Sequence, residues 1–439
     1  MRLEVERFSY GPDSIAHAPD GRVVFVSGAV PGDTIEAQVT KESPRSLQAT
    51  CTQVLEPSPY RVQSRCPYSE VCGGCPWASA AYDFQLTAKR DNVVSSLVRI
   101  GHFNPEHAQR LVAPAQACGD SWGYRNKVEL AVARQGQRTI VGMHPAKGAV
   151  PLKVDRCLLL DPMAEKVVKG VSGALSYVAS SHQLELERVG IRASRRTRDL
   201  EVALWSSPGA FPRAHIAKVL GDAVKPTSVV RVLSKGPQKA RKVSGVEVLA
   251  GAGSWSERIL DETLRVSAPS FFQVNTKGAD KLVNLVLEGL NPCEDDLAMD
   301  LYSGAGTFTV PLARKCAFVD AVESYGPAVR DLRRNLDSNA IDNADPVGGD
   351  ADREFPDSEA DVIVVDPPRA GLAASVVEKL SSQPARAIAY VSCDPATLAR
   401  DLERFCAQGV FEPVVVTPVD LFPQTFHIEN VTILRRRTT

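Results

Sequence analysis

The sequence predicts a multidomain α/β protein: a doubly wound, mostly parallel sheet in the C-terminal part, a β-rich middle, and a small N-terminal barrel. Three observations predict it. A chain of 439 residues is too long for one ordinary core. After residue 266, strands alternate with helices of about 10–15 residues, the pattern of a parallel sheet covered on both faces. Over residues 1–60, short β-like runs alternate with Gly, Pro and Asp turns.

The elements follow in order. GRVVFVSG, DTIEAQVT and LQATCTQVL have the spacing of a small antiparallel barrel. Residues 61–77 hold the clustered cysteines Cys66, Cys72 and Cys75. Residues 78–100 read as an amphipathic helix, since Phe84, Leu86, Val93, Val94, Leu97 and Ile100 recur near the helical period. From 121 to 265 the runs VELAVARQ, DLEVALWSS and SVVRVLSK make the chain β-rich. From 266 a helix leads into strand DLAMDLYSG, and strands AFVDAVES, DVIVVDPP and ARAIAYVS follow with helices between them. DVIVV and AIAYV are nearly all apolar, as strands buried on both faces are. EPVVVTPV and NVTILRR close the sheet.

Composition narrows the class. Apolar content of 44% and charged content of 23% are those of a soluble globular protein. No run approaches the roughly 20 apolar residues of a membrane span, and MRLEVERFSYGPDSI lacks the core of a secretory signal. The expected address is cytoplasmic, with no membrane and no obligatory protein partner. Ten cysteines are then expected to be reduced, so clustered ones point to metal or catalysis. A formal net charge of −1 gives no global signal for nucleic acid. Local basic candidates are Arg192–Arg198, Lys235–Lys242 and the tail Arg435–Arg437, each of which also reads as a solvated loop or tail.

Strand DLAMD runs into Tyr302-Ser303-Gly304-Ala305-Gly306, whose glycines allow a sharp turn and a close ligand approach. The next strand ends in Glu323, an acid placed for ribose hydroxyls. Position 309 is Thr, so the third glycine of a pyrophosphate site is missing. A nucleoside without phosphates fits better, and S-adenosylmethionine is the obvious one. Gly-x-Gly alone fits a tight turn equally well. Asp350 is placed to reach an adenine, and it also fits a turn after Gly348-Gly349.

Asp366-Pro367-Pro368-Arg369 ends a buried strand with prolines that cannot continue the ladder. Such a stiff lip faces the ligand crevice, and an acid before Pro-Pro suits contact with a nucleobase. Cys393 lies just outside a helix whose cap is Asp394 and whose first residue is Pro395, where the helix N-terminus favours a thiolate. Near the end, His427-Ile428-Glu429 supplies an acid. Carbon 5 of uracil is a poor nucleophile. A thiolate adding at carbon 6 makes the ring an enolate, and carbon 5 then attacks a methyl sulfonium. A base must afterwards remove the carbon-5 proton. Cys393, Glu429 and the 302–323 region supply the thiol, the base and the cofactor site.

With these residues in place the chain resembles the RNA 5-methyluridine methyltransferase family, on its branch with a TRAM domain and an iron–sulfur cluster. The motif is Ser392-Cys393-Asp394-Pro395-Ala396-Thr397-Leu398-Ala399-Arg400-Asp401. The resemblance implies Cys393 as nucleophile and Glu429 as base, with Gln273, Tyr302, Gly304, Glu323, Asp350 and Asp366 about the cofactor. It implies an OB-like TRAM β-barrel at 1–60 and a cluster segment with its helix at 61–120. A β-rich central RNA-binding domain at 121–265 and a Rossmann-like class I methyltransferase domain at 266–439 complete it. It adds Cys157 to Cys66, Cys72 and Cys75, four thiolates suited to a [4Fe–4S] cluster, with zinc as the alternative. The implied partner is RNA, 23S ribosomal before transfer RNA. The main rival is a methyltransferase of exocyclic amines, which uses Asp-Pro-Pro-Arg and needs no nucleophile. One departure stands out. Residues 1–60 carry five Lys/Arg against eight Asp/Glu, a poor electrostatic grip for RNA.

Overall fold

Apolar strands separated by amphipathic helices close, in this computed structural model, into an eight-stranded sheet. The structure describes residues 1–135, 138–182, 184–236 and 242–437. Strand order from one edge is Ala344–Gly348, Phe318–Glu323, Leu297–Leu301, Val362–Val365, Ala387–Ser392, Glu429–Arg436, Phe411–Asp420 and Gln116–Ala117. The first five are parallel, and Glu429–Arg436 returns antiparallel. Strand addition reverses at Leu297–Leu301, and the crevice beyond the carboxyl ends at such a switch point is where ligands bind. Val362–Val365 and Ala387–Ser392 are buried along their whole length, as their sequences require. Ala344–Gly348 carries a mid-strand proline and is accordingly an edge strand.

Residues 2–56 form a separate six-stranded sheet around Leu3, Val24 and Ile35. The middle of the chain builds another six-stranded sheet. It differs from the β-rich expectation by two helices, Val167–Ser181 and Arg213–Val224, packed on its apolar face. The first contains Gly170, Gly173 and several serines, residues of low helix propensity, and is helical because Val168, Val171, Leu175 and Val178 bury one stripe. Pro105–Leu111 is a further unforeseen helix, capped by the Asn104 side chain and opened by a proline. No helix among the described residues is long and apolar enough to cross a membrane.

Helix Tyr82–Arg99 is fastened to the large sheet by a buried ion pair. Lys89 Nζ lies 2.6 Å from Asp420 Oδ1, and both side chains have no accessible surface. Lys89 also donates to the Phe422 carbonyl. Removing one partner leaves an uncompensated buried charge. Lys89→Met is therefore expected to cost about 3–5 kcal/mol, read as a lowered urea midpoint, and Lys89→Met with Asp420→Asn should recover part of the loss.

Candidate active site

The crevice is built where five strand ends meet. Asp394 caps helix Pro395–Gln408 by accepting from the N–H groups of Ala396 and Thr397. This fixes the half-buried Cys393 at the joint between strand and helix. The same helix holds the facing loop. Asp401 accepts from the Leu372 N–H at 2.8 Å and from the Tyr390 hydroxyl, while Arg400 donates to the Ala370 carbonyl. Gly371 has φ +73°, and a Cβ there would lie 2.4 Å from Asp401 Oδ2, so this position in the loop after Asp366-Pro367-Pro368-Arg369 needs glycine. Arg400-Asp401 thus has a structural reason to follow Cys393: it clamps the Pro-Pro lip beside the thiol.

Three acids act on Cys393: Glu429, Asp366 and the adjacent cap Asp394. Glu429 opens the last strand and is 3% exposed; Asp366 is half-buried at its strand end. Burial raises the Cys393 thiol, Glu429 and Asp366 raise it further, and Arg369 only partly opposes them, leaving it at about 12. Desolvation and the neighbouring carboxyls thus oppose the thiolate that the helix N-terminus is expected to favour. The acids are shifted as well. Burial lifts Asp366 to about 8, with Asp300 and Glu323 adding repulsion. Glu429 is driven well above its ordinary value by burial and Asp366. His427 does not share the strand with Glu429, which begins at 429. Its ring accepts from Arg369 Nη2 at 2.9 Å, and burial with that guanidinium lowers it to about 4, so it is neutral.

On the other side of Asp366 lies the glycine turn. Gly304 donates its N–H to Glu323 Oε2 at 2.9 Å, and the Tyr325 N–H donates to Oε1 at 2.6 Å. Gly304 has φ +58°, and a Cβ there meets nothing within 4 Å, an open cradle over the turn. Tyr302, a non-glycine residue, is held at φ +67°, strain of the kind that gathers at functional sites. Asp300 is buried and raised to about 7 by desolvation and Glu323. Its Oδ1, Ser303 Oγ and Gln273 Oε1 are buried without hydrogen-bond partners. Asp300, Glu323 and Asp366 repel one another electrostatically, and three orphaned polar atoms accompany an open glycine cradle. That donor set fits a cationic nucleoside. Asp350 is exposed, and its Oδ1 accepts from the Asp352 N–H, so the turn role is real. It also acts on the Tyr302 hydroxyl, which places it at the crevice edge.

Among the described residues no three His, Cys, Asp or Glu side chains converge on a single metal ion. Cys66, Cys72, Cys75 and Cys157 nevertheless line one cavity of ≈ 40 Å³ with Tyr68, Trp122 and Arg125. Beside it runs a groove of ≈ 1530 Å³ between the N-terminal sheet, the cysteine loop and the central sheet, with Arg61, Arg125, Lys127 and Lys147 in its walls.

The basic runs are largely structural. Arg192 is buried and donates to the Ser267 and Ser270 carbonyls; Arg195 pairs with Asp161 and Arg196 with Asp280. Arg435 donates to the Gly289 carbonyl, and Arg437 pairs with Glu412 at 3.2 Å. Residues 237–241 of the Lys235–Lys242 run lie outside the described residues. Two site residues carried no assigned role in the sequence. Arg369 stood inside a recognised segment. Tyr10, whose hydroxyl donates to the Cys393 carbonyl from the N-terminal sheet, had no local signal at all.

Comparison with known proteins agrees with this geometry. The family described as tRNA (uracil-5-)-methyltransferase matches residues 259–437, and the TRAM domain matches residues 1–52. An uncharacterized RNA methyltransferase of Thermosynechococcus vestitus is 31% identical over 96% of each chain. Another, from Streptomyces coelicolor, is 35% identical over 98% of this chain and 92% of its own. The fold is similar to that of the Pyrococcus abyssi tRNA (uracil-54, C5)-methyltransferase in complex with S-adenosyl-L-homocysteine. That likeness has a TM-score of 0.75 and 24% identity, and covers 99% of this chain and 100% of the other.

Proposed function

The chain belongs to the RNA uracil-5-methyltransferase family, which uses S-adenosylmethionine to methylate uracil C5 in RNA, and on that premise we propose that Cys393 is the nucleophile and Glu429 the base. The observation that supports this most is that Cys393 stands beside both Asp366 and Glu429, whose carboxyls act on the thiol while Asp366 acts on Glu429. An exocyclic-amine methyltransferase needs the Asp366 lip alone and leaves the thiol and the second acid without work.

Gln273, Tyr302, Gly304, Glu323, Asp350 and Asp366 would hold S-adenosylmethionine, with Glu323 toward the ribose and Asp350 toward the adenine. When bound there it supplies an electrophilic methyl group on a cationic sulfur. The protein does the rest. Cys393 adds to carbon 6, Asp366 and Arg369 orient the flipped base, and Glu429 takes the carbon-5 proton so that the thiolate is released. The groove beside the cysteine loop offers a track for the flanking RNA, with Arg125 and Lys147 in its walls, while Arg61 and Lys127 there are paired with Asp33 and Glu129.

The proposed target is 23S ribosomal RNA, with transfer RNA as the rival. The test is incubation with 5-fluorouridine-substituted ribosomal and transfer RNA. Fluorine at carbon 5 cannot leave as a cation, so a covalent adduct accumulates and can be mapped. An adduct on 23S RNA through Cys393 is expected; none on either RNA counts against the mechanism.

Cys66, Cys72, Cys75 and Cys157 are proposed to hold a [4Fe–4S] cluster. Four thiols lining one cavity could hold either a cluster or a zinc ion, and the family resemblance favours the cluster. Anaerobically purified protein is expected to contain about four irons and four sulfides per chain, and Cys75→Ser to lose them. One zinc per chain instead would overturn the assignment.

A further inference from the structure

Tyr10 lies at the tip of the turn between strands Arg7–Phe8 and Ser14–His17 of the N-terminal sheet. Its hydroxyl donates to the Cys393 carbonyl at 3.1 Å across a sequence separation of 383 residues. The phenol also faces Asp394, Arg369 and Glu429. It therefore stands in the wall of the reaction pocket, where burial and the carboxylates keep it protonated and a hydrogen-bond donor.

The turn is not merely leaning there. Trp77 Nε1 donates to the Gly11 carbonyl at 3.2 Å, Asn92 Nδ2 to the Ser9 carbonyl at 3.3 Å, and Ser9 Oγ to the Asp13 carbonyl. Phe8 stacks on Trp77 with ring centroids 4.0 Å apart. The Tyr10 ring meets Phe426 edge-on at 5.8 Å, and Phe426 lies 4.1 Å from His427, the partner of Arg369. The turn is thus held in place before any RNA arrives, so ordering Tyr10 costs nothing at the time of reaction.

Resting on the reading of Cys393 as nucleophile, we propose that Tyr10 is a positioning residue: it anchors the Cys393 carbonyl so that the thiol meets carbon 6 from the face of the base. The carbonyl it holds belongs to the one residue between the strand Ala387–Ser392 and the helix cap Asp394. Ser392 and Asp394 are bonded to each other, and Asn430 Nδ2 donates to the Ser392 carbonyl. Tyr10 supplies a further restraint on that joint, at Cys393 itself. The N-terminal domain, acidic as it is, then contributes to the chemical step as well as to any grip on RNA.

The test compares wild type, Tyr10→Phe and Tyr10→Ala as full-length protein with RNA. Two readouts are used: steady-state kcat and KM, and the rate of adduct formation on 5-fluorouridine RNA. For Tyr10→Phe, kcat and the adduct rate are expected to fall about tenfold, the scale of one lost hydrogen bond at a positioned group. KM for RNA and for S-adenosylmethionine should stay within about twofold, since a residue acting only in RNA binding or folding would move them. Wild-type kcat in Tyr10→Phe, a loss confined to Tyr10→Ala, or a rise in KM alone would each overturn the proposal. If wild type itself forms no adduct, it is the nucleophile reading that fails. If wild type and Tyr10→Phe trap equally fast, only the role of Tyr10 fails.

Discussion

Cys393→Ser is expected to lower methyl transfer by about 10⁴–10⁶-fold, the scale seen when a covalent nucleophile is removed, while binding of S-adenosylmethionine and RNA persists. The magnitude follows from the ring. Without addition at carbon 6, carbon 5 has no electron pair to offer, and a serine hydroxyl in the same pocket is a far weaker acid than the thiol. The protein does not make the addition easy in its free state. The thiol stands at about 12 because it is desolvated beside Glu429 and Asp366. At neutral pH only a small fraction is thiolate, so kcat/KM is expected to rise about tenfold per pH unit through the neutral and mildly alkaline range. Two features temper this. Asp366 is itself raised to about 8, so in the empty pocket it is largely protonated and repels the thiolate less, and Glu429 is shifted in the same direction. Arg369 remains as the cation favouring it. The checks are single-turnover methylation, adduct trapping and the pH profile. A serine variant as active as wild type, or a flat profile, would remove the covalent mechanism.

The large sheet was legible in the sequence because each buried strand there is a nearly continuous apolar run ended by a chemically unusual group: Tyr302, Glu323, Asp366, Cys393. Those ends fall together because parallel strands share a carboxyl edge, so strand order alone assembles the site. Helix Val167–Ser181 was not legible, since its glycines and serines hide a stripe that only tertiary packing makes helical. Charge was read worst. The run Arg192–Arg198 looks like an exposed patch, yet Arg192 is buried and Arg195 and Arg196 are spent on Asp161 and Asp280. Pairing depends on residues 34 and 84 positions away in the chain, and no local pattern carries it. The Cys393 thiol shows the same limit: the helix N-terminus and the acids are visible in sequence, but the burial that raises the thiol is not.

Glu429→Gln should separate the two halves of the reaction. The carboxamide matches the carboxyl in shape. In the free protein that carboxyl is held well above its ordinary value by burial and Asp366, so its protonated form is favoured there. The isosteric substitution should therefore cost the fold little. To act as a base, Glu429 must first lose its proton. A bound sulfonium would favour the ionised form of Asp366 and Glu429, since an opposite charge does so. Wild-type affinity for S-adenosylmethionine should accordingly rise with pH across the range in which Asp300 and Asp366, at about 7 and about 8, would otherwise be protonated. The uncharged S-adenosylhomocysteine should show less of this dependence. In Glu429→Gln, thiolate addition and methyl transfer need no base at carbon 5 and proceed, but elimination has lost its proton acceptor. Turnover is expected to fall about 10²–10⁴-fold, with methylated RNA remaining covalently attached to Cys393 on ordinary uridine. A denaturing gel with labelled methyl groups reads this directly. Free methylated RNA released at the wild-type rate would mean that another group takes the proton, and Asp366, alone among the remaining pocket acids in facing both Cys393 and Glu429, would be the residue to test next.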